Sequence, residues 1–184
     1  MHRLSGWILR LLGWKTVHVP SPGPKSVIMV YPHTSNWDFP LGVLFKSKHR
    51  FALNWAGKDS LFIWPFRRFF VWLGGIPTNR RERTGMVQQL LQAYAQNDRF
   101  CIVIAPEGTR ARTDHLKTGF YRLALAAGVP LGLGFIDYGR KRLGVERWVM
   151  LSGDEAADLA LIREYYADKT ARYPEKAGAL RFKS

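Results

Sequence analysis

The sequence predicts an α/β domain with a mixed central sheet flanked by helices. Short apolar runs rich in Val and Ile alternate along the chain with longer segments in which apolar residues recur at helical spacing. An alternation of strands and helices is typical of α/β folds. The 184 residues, of which 47% are hydrophobic, are enough for one sizeable core. We therefore expect one domain over residues 26–184, preceded by an amphipathic helix.

The N-terminal segment has the apolar spacing of an amphipathic helix. Its apolar residues fall at i, i+3, i+4, i+7 and i+8, namely Leu4, Trp7, Ile8, Leu11 and Leu12. Arg10 interrupts the run and no small-residue cleavage site follows, so we do not expect a secretory signal. We predict an interfacial helix within residues 1–19, with packing against the body as the alternative. The prolines of residues 20–25 make that segment a stiff connector.

Within the body, apolar periodicity predicts alternating strands and helices. Strands are predicted at 26–31, 51–55, 100–105, 131–136 and 145–151. Helices are predicted at 38–48, 60–72, 83–97, 117–127 and 154–171. Gly128 ends the fourth of these helices, and Asp154 opens the fifth with the acidic character that suits a helix N-terminus.

The chain is strongly basic, with 28 Lys and Arg against 14 Asp and Glu and a formal net charge of +14. Such a surface attracts polyanions of any kind, including nucleic acid, anionic lipid headgroups and acidic carrier proteins. No nucleic-acid recognition motif is present, and the aromatic residues cluster with aliphatic ones instead of alternating with Lys and Gly. We therefore expect no nucleic-acid partner, and a basic nucleic-acid-binding module is the alternative that charge alone would favour.

Cysteine content and hydropathy argue against a disulfide-bonded, a cysteine-zinc and a membrane-spanning protein. The single Cys101 excludes an internal disulfide and a cysteine zinc site, so we expect a reducing compartment. No apolar run reaches the roughly 18 residues of a spanning helix. Residues 61–73 contain six aromatic side chains around Arg67 and Arg68, which suits a bilayer interface. Core packing is the alternative for these aromatics.

A histidine and an aspartate follow directly from the first predicted strand of the body. His33 and Asp38 lie between the end of that strand and the next helix, where α/β sheets hold ligands. The Asp38 carboxylate can accept a hydrogen bond from one imidazole nitrogen, which leaves the other as a proton acceptor. A substrate that brings its own hydroxyl needs no serine nucleophile, because His33 can act as its general base. A structural or helix-capping histidine is the alternative for this pair alone.

Two glycine-containing turns each deliver an arginine. Gly108 allows a tight turn after a strand, Thr109 offers a hydroxyl, and Arg110 offers a bidentate fork for phosphate. The segment 74–80 opens with two glycines and ends on Arg80. The two arginines suggest an anionic pocket, and an ordinary surface loop is the alternative for each.

These motifs, taken in order, resemble the glycerolipid acyltransferase family, which includes lysophosphatidic acid acyltransferases and glycerol-3-phosphate acyltransferases. His33 and Asp38 match its His-x4-Asp motif. The other three blocks match at 74–80, 106–110 and 129–130. The similarity covers roughly residues 25–138, and it implies a glycerol-3-phosphate acyltransferase-like fold for the domain over 26–184.

The resemblance implies transfer of a fatty acyl group from acyl-CoA or acyl carrier protein to a lipid hydroxyl. It implies that His33 is the base, that Asp38 orients it, and that preorganised donors hold the thioester oxyanion. It assigns acceptor binding to Arg80, Glu107, Gly108, Thr109 and Arg110. No cofactor or metal is expected, since the acyl donor is a substrate. The expected partners are a membrane surface, the lipid acceptor and the donor, with the protein cytoplasmic and peripheral at the inner face of a membrane.

The sequence departs from the family pattern in two blocks. Pro77 and Thr78 stand where the family commonly has larger apolar residues, and Gly132 and Gly134, after the fourth block, leave space or flexibility. We expect the acceptor to be a lysophospholipid, glycerol phosphate or a related lipid, and these departures leave another lysolipid or a hydroxylated or glycosylated lipid as an alternative to lysophosphatidic acid. A thioester or ester hydrolase that uses the same His33 and Asp38, with water in place of the lipid hydroxyl, is the main alternative, and a noncatalytic lipid-binding scaffold is another.

Overall fold

The structure is a computed structural model, and it describes residues 2–78 and 83–182. Its helices are α1 (His2–Leu11), α2 (Asp38–His49), α3 (Arg67–Trp72), α4 (Arg83–Gln96), α5 (Gly119–Ala127) and α6 (Glu155–Tyr166). Its strands are β1 (Lys15–His18), β2 (Lys25–Val30), β3 (Asn54–Lys58), β4 (Gly75–Thr78), β5 (Phe100–Ile104), β6 (Leu131–Asp137) and β7 (Arg142–Val149). Short 3-10 turns lie at Asp59–Leu61 and Pro174–Lys176.

The strands form one mixed sheet in the order β1-β7-β6-β2-β5-β3-β4. Neighbours run parallel, except that β6 and β7 are antiparallel. The strands β5, β2 and β6 are adjacent and parallel, so their carboxyl ends reach the same edge of the sheet. The predicted α/β class, mixed sheet and N-terminal helix are confirmed, and this edge is where the site is built.

The sheet carries helices on both faces. Val27 and Met29 of β2 belong to one buried cluster that includes side chains of α4, α5 and α6, such as Leu90, Phe120 and Ile162. The opposite face packs against α1 and α2. Because β2 lies in the middle of the sheet and is covered on both sides, its apolar run is continuous and does not alternate with polar residues.

Two strands were not predicted, and both lie at the edges of the sheet. Strand β1 pairs only through Lys15–His18 with β7, and it falls within the segment 1–19 that was expected to be an interfacial helix. Strand β4 contains Pro77, which cannot donate to a ladder and is tolerated at an edge. An edge strand has a neighbouring strand on one side only and is less buried than a central strand. Its sequence therefore lacks the continuous apolar run that identifies a central strand.

Other boundaries differ from the predicted ones by several residues. Strand β3 begins at Asn54, where 51–55 was predicted, and α6 ends at Tyr166 instead of residue 171. The interrupted helix predicted at 60–72 consists of the 3-10 turn and the short α3. Its interruption falls at Pro65, because a helix starts readily after proline but does not run through it.

The two glycines of β6 serve close packing. A Cβ at Gly134 would lie 2.8 Å from the Ile28 side chain and 3.0 Å from that of Val30. These distances are shorter than ordinary carbon contacts, so the absent side chain is what lets β2 and β6 pack with this register. The glycines were expected to leave space or flexibility; the structure shows that neighbouring side chains fill the space.

Helix α1 buries one face against the rest of the domain and exposes another. Leu9 is fully buried in a cluster with Leu41 and Phe45 of α2, whereas Trp7 and Leu11 are exposed. Helix α1 therefore packs on the body along one face, as the alternative reading had it, and leaves an apolar face uncovered. Within the described residues, no helix has the length and apolar character needed to cross a membrane.

Candidate active site

The His33–Asp38 pair forms at the edge where β2 ends and α2 begins. Nδ1 of His33 lies 2.9 Å from Oδ2 of Asp38, and the same oxygen accepts a hydrogen bond from the Ser35 backbone N–H at 3.0 Å. The Asp38 side chain is 2% exposed and that of His33 is 18% exposed. A buried carboxylate beside Nδ1 favours the tautomer with its proton on that nitrogen, so Nε2 is left as the proton acceptor.

Tyr138 completes the hydrogen bonding of Asp38, and the sequence analysis missed it. Its hydroxyl donates to Oδ1 of Asp38 at 2.7 Å. Burial raises the pKa of Tyr138, and its hydrogen bond to Asp38 raises it further, so the hydroxyl keeps its proton and acts as a donor. A signal was present in the sequence, since Tyr138 directly follows the apolar run of β6.

Glu107 supports the loop that carries the histidine. Its Oε1 accepts a hydrogen bond from the His33 backbone N–H at 2.7 Å, and the residue is 1% exposed. Burial raises the pKa of the Glu107 carboxyl, which the hydrogen bond from His33 partly opposes. Glu107 therefore holds the loop between β2 and α2 from the neighbouring β5 edge. Its role in acceptor binding stays a prediction.

The other residues of the second motif follow Glu107 in a tight turn. Gly108 has a φ of +64°, a backbone conformation that favours glycine, and the end of the Lys117 side chain lies against it. Thr109 accepts a hydrogen bond from the Ala111 backbone N–H at 3.2 Å. Arg110 is exposed at the rim. The structure brings this turn to the His33–Asp38 pair, whereas Arg80 lies outside the described residues.

A cavity of about 1310 Å³ opens beside these residues. His33, Asp38, Gly108, Thr109 and Arg110 line its polar end. Apolar side chains between the sheet and α2 line its continuation, namely Ile28, Val30, Val43, Phe45, Leu53 and Val103. The cavity therefore joins a polar, basic entrance to an apolar interior, which suits an amphiphilic ligand.

A smaller polar pocket of about 560 Å³ lies against the same loops. Ser35, Trp37 and Arg110 line it together with Tyr173 and Lys176 of the C-terminal segment. In residues 2–78 and 83–182, no three His, Cys, Asp or Glu side chains are grouped in a way that would hold a metal ion.

The fold and the site define the class of the protein as an α/β domain in which a His–Asp pair faces a cavity with a basic mouth and an apolar interior. A family model described as Acyltransferase matches residues 15–132. The chain belongs to this acyltransferase family, as the four ordered motifs predicted.

Two relatives carry the same printed name, 1-acyl-sn-glycerol-3-phosphate acyltransferase. The protein from Haemophilus influenzae is 28% identical over 155 residues, which cover 79% of this chain and 63% of the relative. The protein from Escherichia coli is 37% identical over 83 residues, which cover 41% of this chain and 34% of the relative. The matches thus span less than two thirds of the length of either relative.

Proposed function

We propose that this protein transfers a fatty acyl group from an acyl thioester to the hydroxyl of a lysophospholipid, glycerol phosphate or related lipid. The observation that carries the proposal is the 2.9 Å contact between His33 Nδ1 and Asp38 Oδ2 at the mouth of the amphiphilic cavity. The relatives named 1-acyl-sn-glycerol-3-phosphate acyltransferase support an acceptor of this class.

In the proposed reaction His33 first accepts a proton from the acceptor hydroxyl and then donates it to the leaving thiolate. Nε2 of His33 takes the proton of the acceptor hydroxyl while its oxygen forms a bond to the thioester carbonyl carbon. The tetrahedral intermediate then collapses, the C–S bond breaks, and the thiolate takes the proton from His33. Asp38 stabilises the imidazolium between the two steps. The products are the acylated lipid and the free thiol of the donor.

The basic entrance fits the polar ends of both substrates. Arg110 lies at the cavity mouth, and a guanidinium binds phosphate through two parallel hydrogen bonds. We assign the acceptor headgroup to Arg110 and Thr109, with Arg80 as the further arginine that the motif supplies. The acyl chain of the donor then occupies the apolar interior, where its transfer from water is favourable.

The direct test incubates the protein with acyl-CoA labelled in the acyl group, with and without lysophosphatidic acid, and follows the label by thin-layer chromatography. Label in phosphatidic acid supports acyl transfer. Label in free fatty acid, at a rate that does not depend on the lysolipid, would instead identify a hydrolase. The same assay with acyl carrier protein as donor, and with a neutral lysolipid as acceptor, identifies the preferred thioester and tests the need for an anionic headgroup.

The acyl-chain assignment predicts an effect of bulk at Gly42. This glycine of α2 lines the cavity, and a Cβ there would meet no atom within 4 Å. Gly42→Leu should lower turnover of long-chain donors by roughly tenfold relative to short-chain ones, because the side chain occupies the space of the chain. Initial rates over a series of donors of increasing length measure the effect.

Gly42→Ala is the matched control. It should raise the free energy of unfolding by about 0.5–1 kcal/mol, since alanine favours the helix, and it should leave the chain-length preference nearly unchanged. An equal loss of activity with every donor in Gly42→Leu would contradict the assignment of the acyl chain to this cavity.

We also propose that the protein lies peripherally on the inner face of a membrane. Trp7 and Leu11 of α1 are exposed, and Trp64 before α3 is 90% exposed beside the basic Arg67 and Arg68. The segment 61–73 is divided, however, because its Phe62 is buried against Trp55 at a ring-centroid distance of 5.6 Å. The exposed aromatic and basic residues of both helices fit an interface with anionic lipid.

The double substitution Trp64→Ser and Trp72→Ser should weaken flotation with anionic vesicles at low salt by about tenfold or more, because two exposed tryptophans no longer enter the interface. Raising the salt concentration should weaken the remaining binding, since the basic residues are then screened. Met150→Ser removes an exposed apolar side chain outside both helices and should float like the unchanged protein. Equal flotation of all three proteins would exclude this surface from membrane binding.

A further inference from the structure

The two carboxylate oxygens of Asp38 have different partners. Oδ2 accepts from His33 Nδ1 and from the Ser35 backbone N–H, both within the loop that joins β2 to α2. Oδ1 accepts a hydrogen bond from the hydroxyl of Tyr138, the residue directly after β6, which is paired with β2 in the sheet. The Asp38 side chain is almost inaccessible to solvent, so the hydrogen bond from Tyr138 is what satisfies this second oxygen.

The ring of Tyr138 is itself held from two distant parts of the chain. Trp14, which follows α1, packs edge-on against it at a centroid distance of 5.0 Å and an interplanar angle of 87°. The guanidinium of Arg172, after α6, lies 5.7 Å from the centre of the same ring. The Tyr138 backbone N–H donates to the Thr170 carbonyl at 2.9 Å. The hydroxyl is therefore presented to Asp38 by a ring with little freedom to move.

We propose that Tyr138 is a positioning residue for the His33–Asp38 pair, with Trp14 and Arg172 fixing its ring. Trp14, Tyr138 and Arg172 all lie outside residues 15–132, the part of the chain that the family model matches. The inference rests on the proposed function, because it assigns Tyr138 to the same proton transfer by His33.

The hydroxyl also adjusts the charge that His33 experiences. A hydrogen bond to Oδ1 withdraws negative charge from Asp38 and restrains rotation of its carboxylate. Charged groups near the pair in the described part of the chain include Glu107, on the loop after β5, Arg172 beside the Tyr138 ring, and Arg110, which lines the same end of the cavity. Without the hydroxyl, the full charge of Asp38 faces His33 and favours the imidazolium, which cannot act as a base.

The test compares Tyr138→Phe with Tyr165→Phe. The first variant keeps the ring between Trp14 and Arg172 and removes the hydroxyl, which donates to Asp38 and also interacts with the side chains of Arg172 and Ser35. The second removes a hydroxyl that is bound to the Leu133 carbonyl and Glu146, away from the pair. We expect Tyr138→Phe to lower kcat by roughly tenfold, with both KM values within about twofold of the unchanged protein. The acidic limb of its kcat/KM profile should move to higher pH, whereas Tyr165→Phe should keep the profile of the unchanged protein.

A second measurement needs no substrate. The ring protons of His33 can be followed by NMR against pH, and their titration midpoint in Tyr138→Phe should lie above that of the unchanged protein. Incorporation of 3-fluorotyrosine at position 138, a more acidic donor, should move the midpoint to lower pH. Equal midpoints in the three proteins would overturn the proposal, whether or not any of them transfers acyl groups. The expected NMR shifts without acyl transfer by the unchanged protein would instead refute only the proposed function.

Discussion

His33→Ala should reduce acyl transfer by roughly 10²- to 10⁴-fold, the usual contribution of a positioned general base. The loss should appear in kcat, since the histidine is assigned to proton transfer and not to holding either substrate. Steady-state assays with labelled acyl-CoA and lysophosphatidic acid measure it.

The fold should tolerate this change, because His33 lies on a loop and is partly exposed. The loop stays attached through the His33 backbone N–H to Glu107, which alanine retains. Added imidazole should restore part of the activity, since the substitution opens space beside a cavity of about 1310 Å³. A folded His33→Ala protein with unchanged kcat would eliminate the histidine from the mechanism.

Asp38→Asn is expected to lower kcat by roughly 10²- to 10⁴-fold. The cause differs from that in His33→Ala, because the histidine itself is still present. The amide is neutral, so it cannot stabilise the imidazolium that the proposed reaction forms between its two proton transfers. In the unchanged protein three donors face the carboxylate, namely His33, the Ser35 N–H and Tyr138. The NH₂ group of asparagine would face at least one of these donors. One of these groups must reorient or lose its partner, so the melting temperature should fall as well.

Asp154→Asn is the matched control for this change. Asp154 caps α6 by accepting hydrogen bonds from the backbone N–H groups of Ala156 and Ala157, and asparagine caps a helix about as well. Its kcat and melting temperature should match those of the unchanged protein. Imidazole should rescue His33→Ala but not Asp38→Asn, because the second variant still has its histidine. Rescue of both variants to the same extent would contradict the separate roles of base and orienting group.

The parts of the fold that could be predicted are those whose sequence pattern is local. Strand β2 and helix α2 were expected at 26–31 and 38–48 and are found at Lys25–Val30 and Asp38–His49. A central strand is covered on both faces and so must be apolar throughout, which makes it visible in the sequence. The edge strands β1 and β4 need not be apolar throughout. In the sequence, Pro77 argues against a strand at β4, because the edge position that tolerates a proline is known only from the sheet.

The sequence by itself determined the family and identified His33 and Asp38, because the two residues lie five positions apart across one loop, close enough for their side chains to meet. Only the tertiary structure decided what surrounds that pair. Tyr138 is 100 residues from Asp38 and reaches it because β6 lies beside β2 in the sheet. Glu107 arrives in the same way from β5. Strand order is set by the packing of the whole sheet, so local spacing in the sequence does not show which loops meet at its edge.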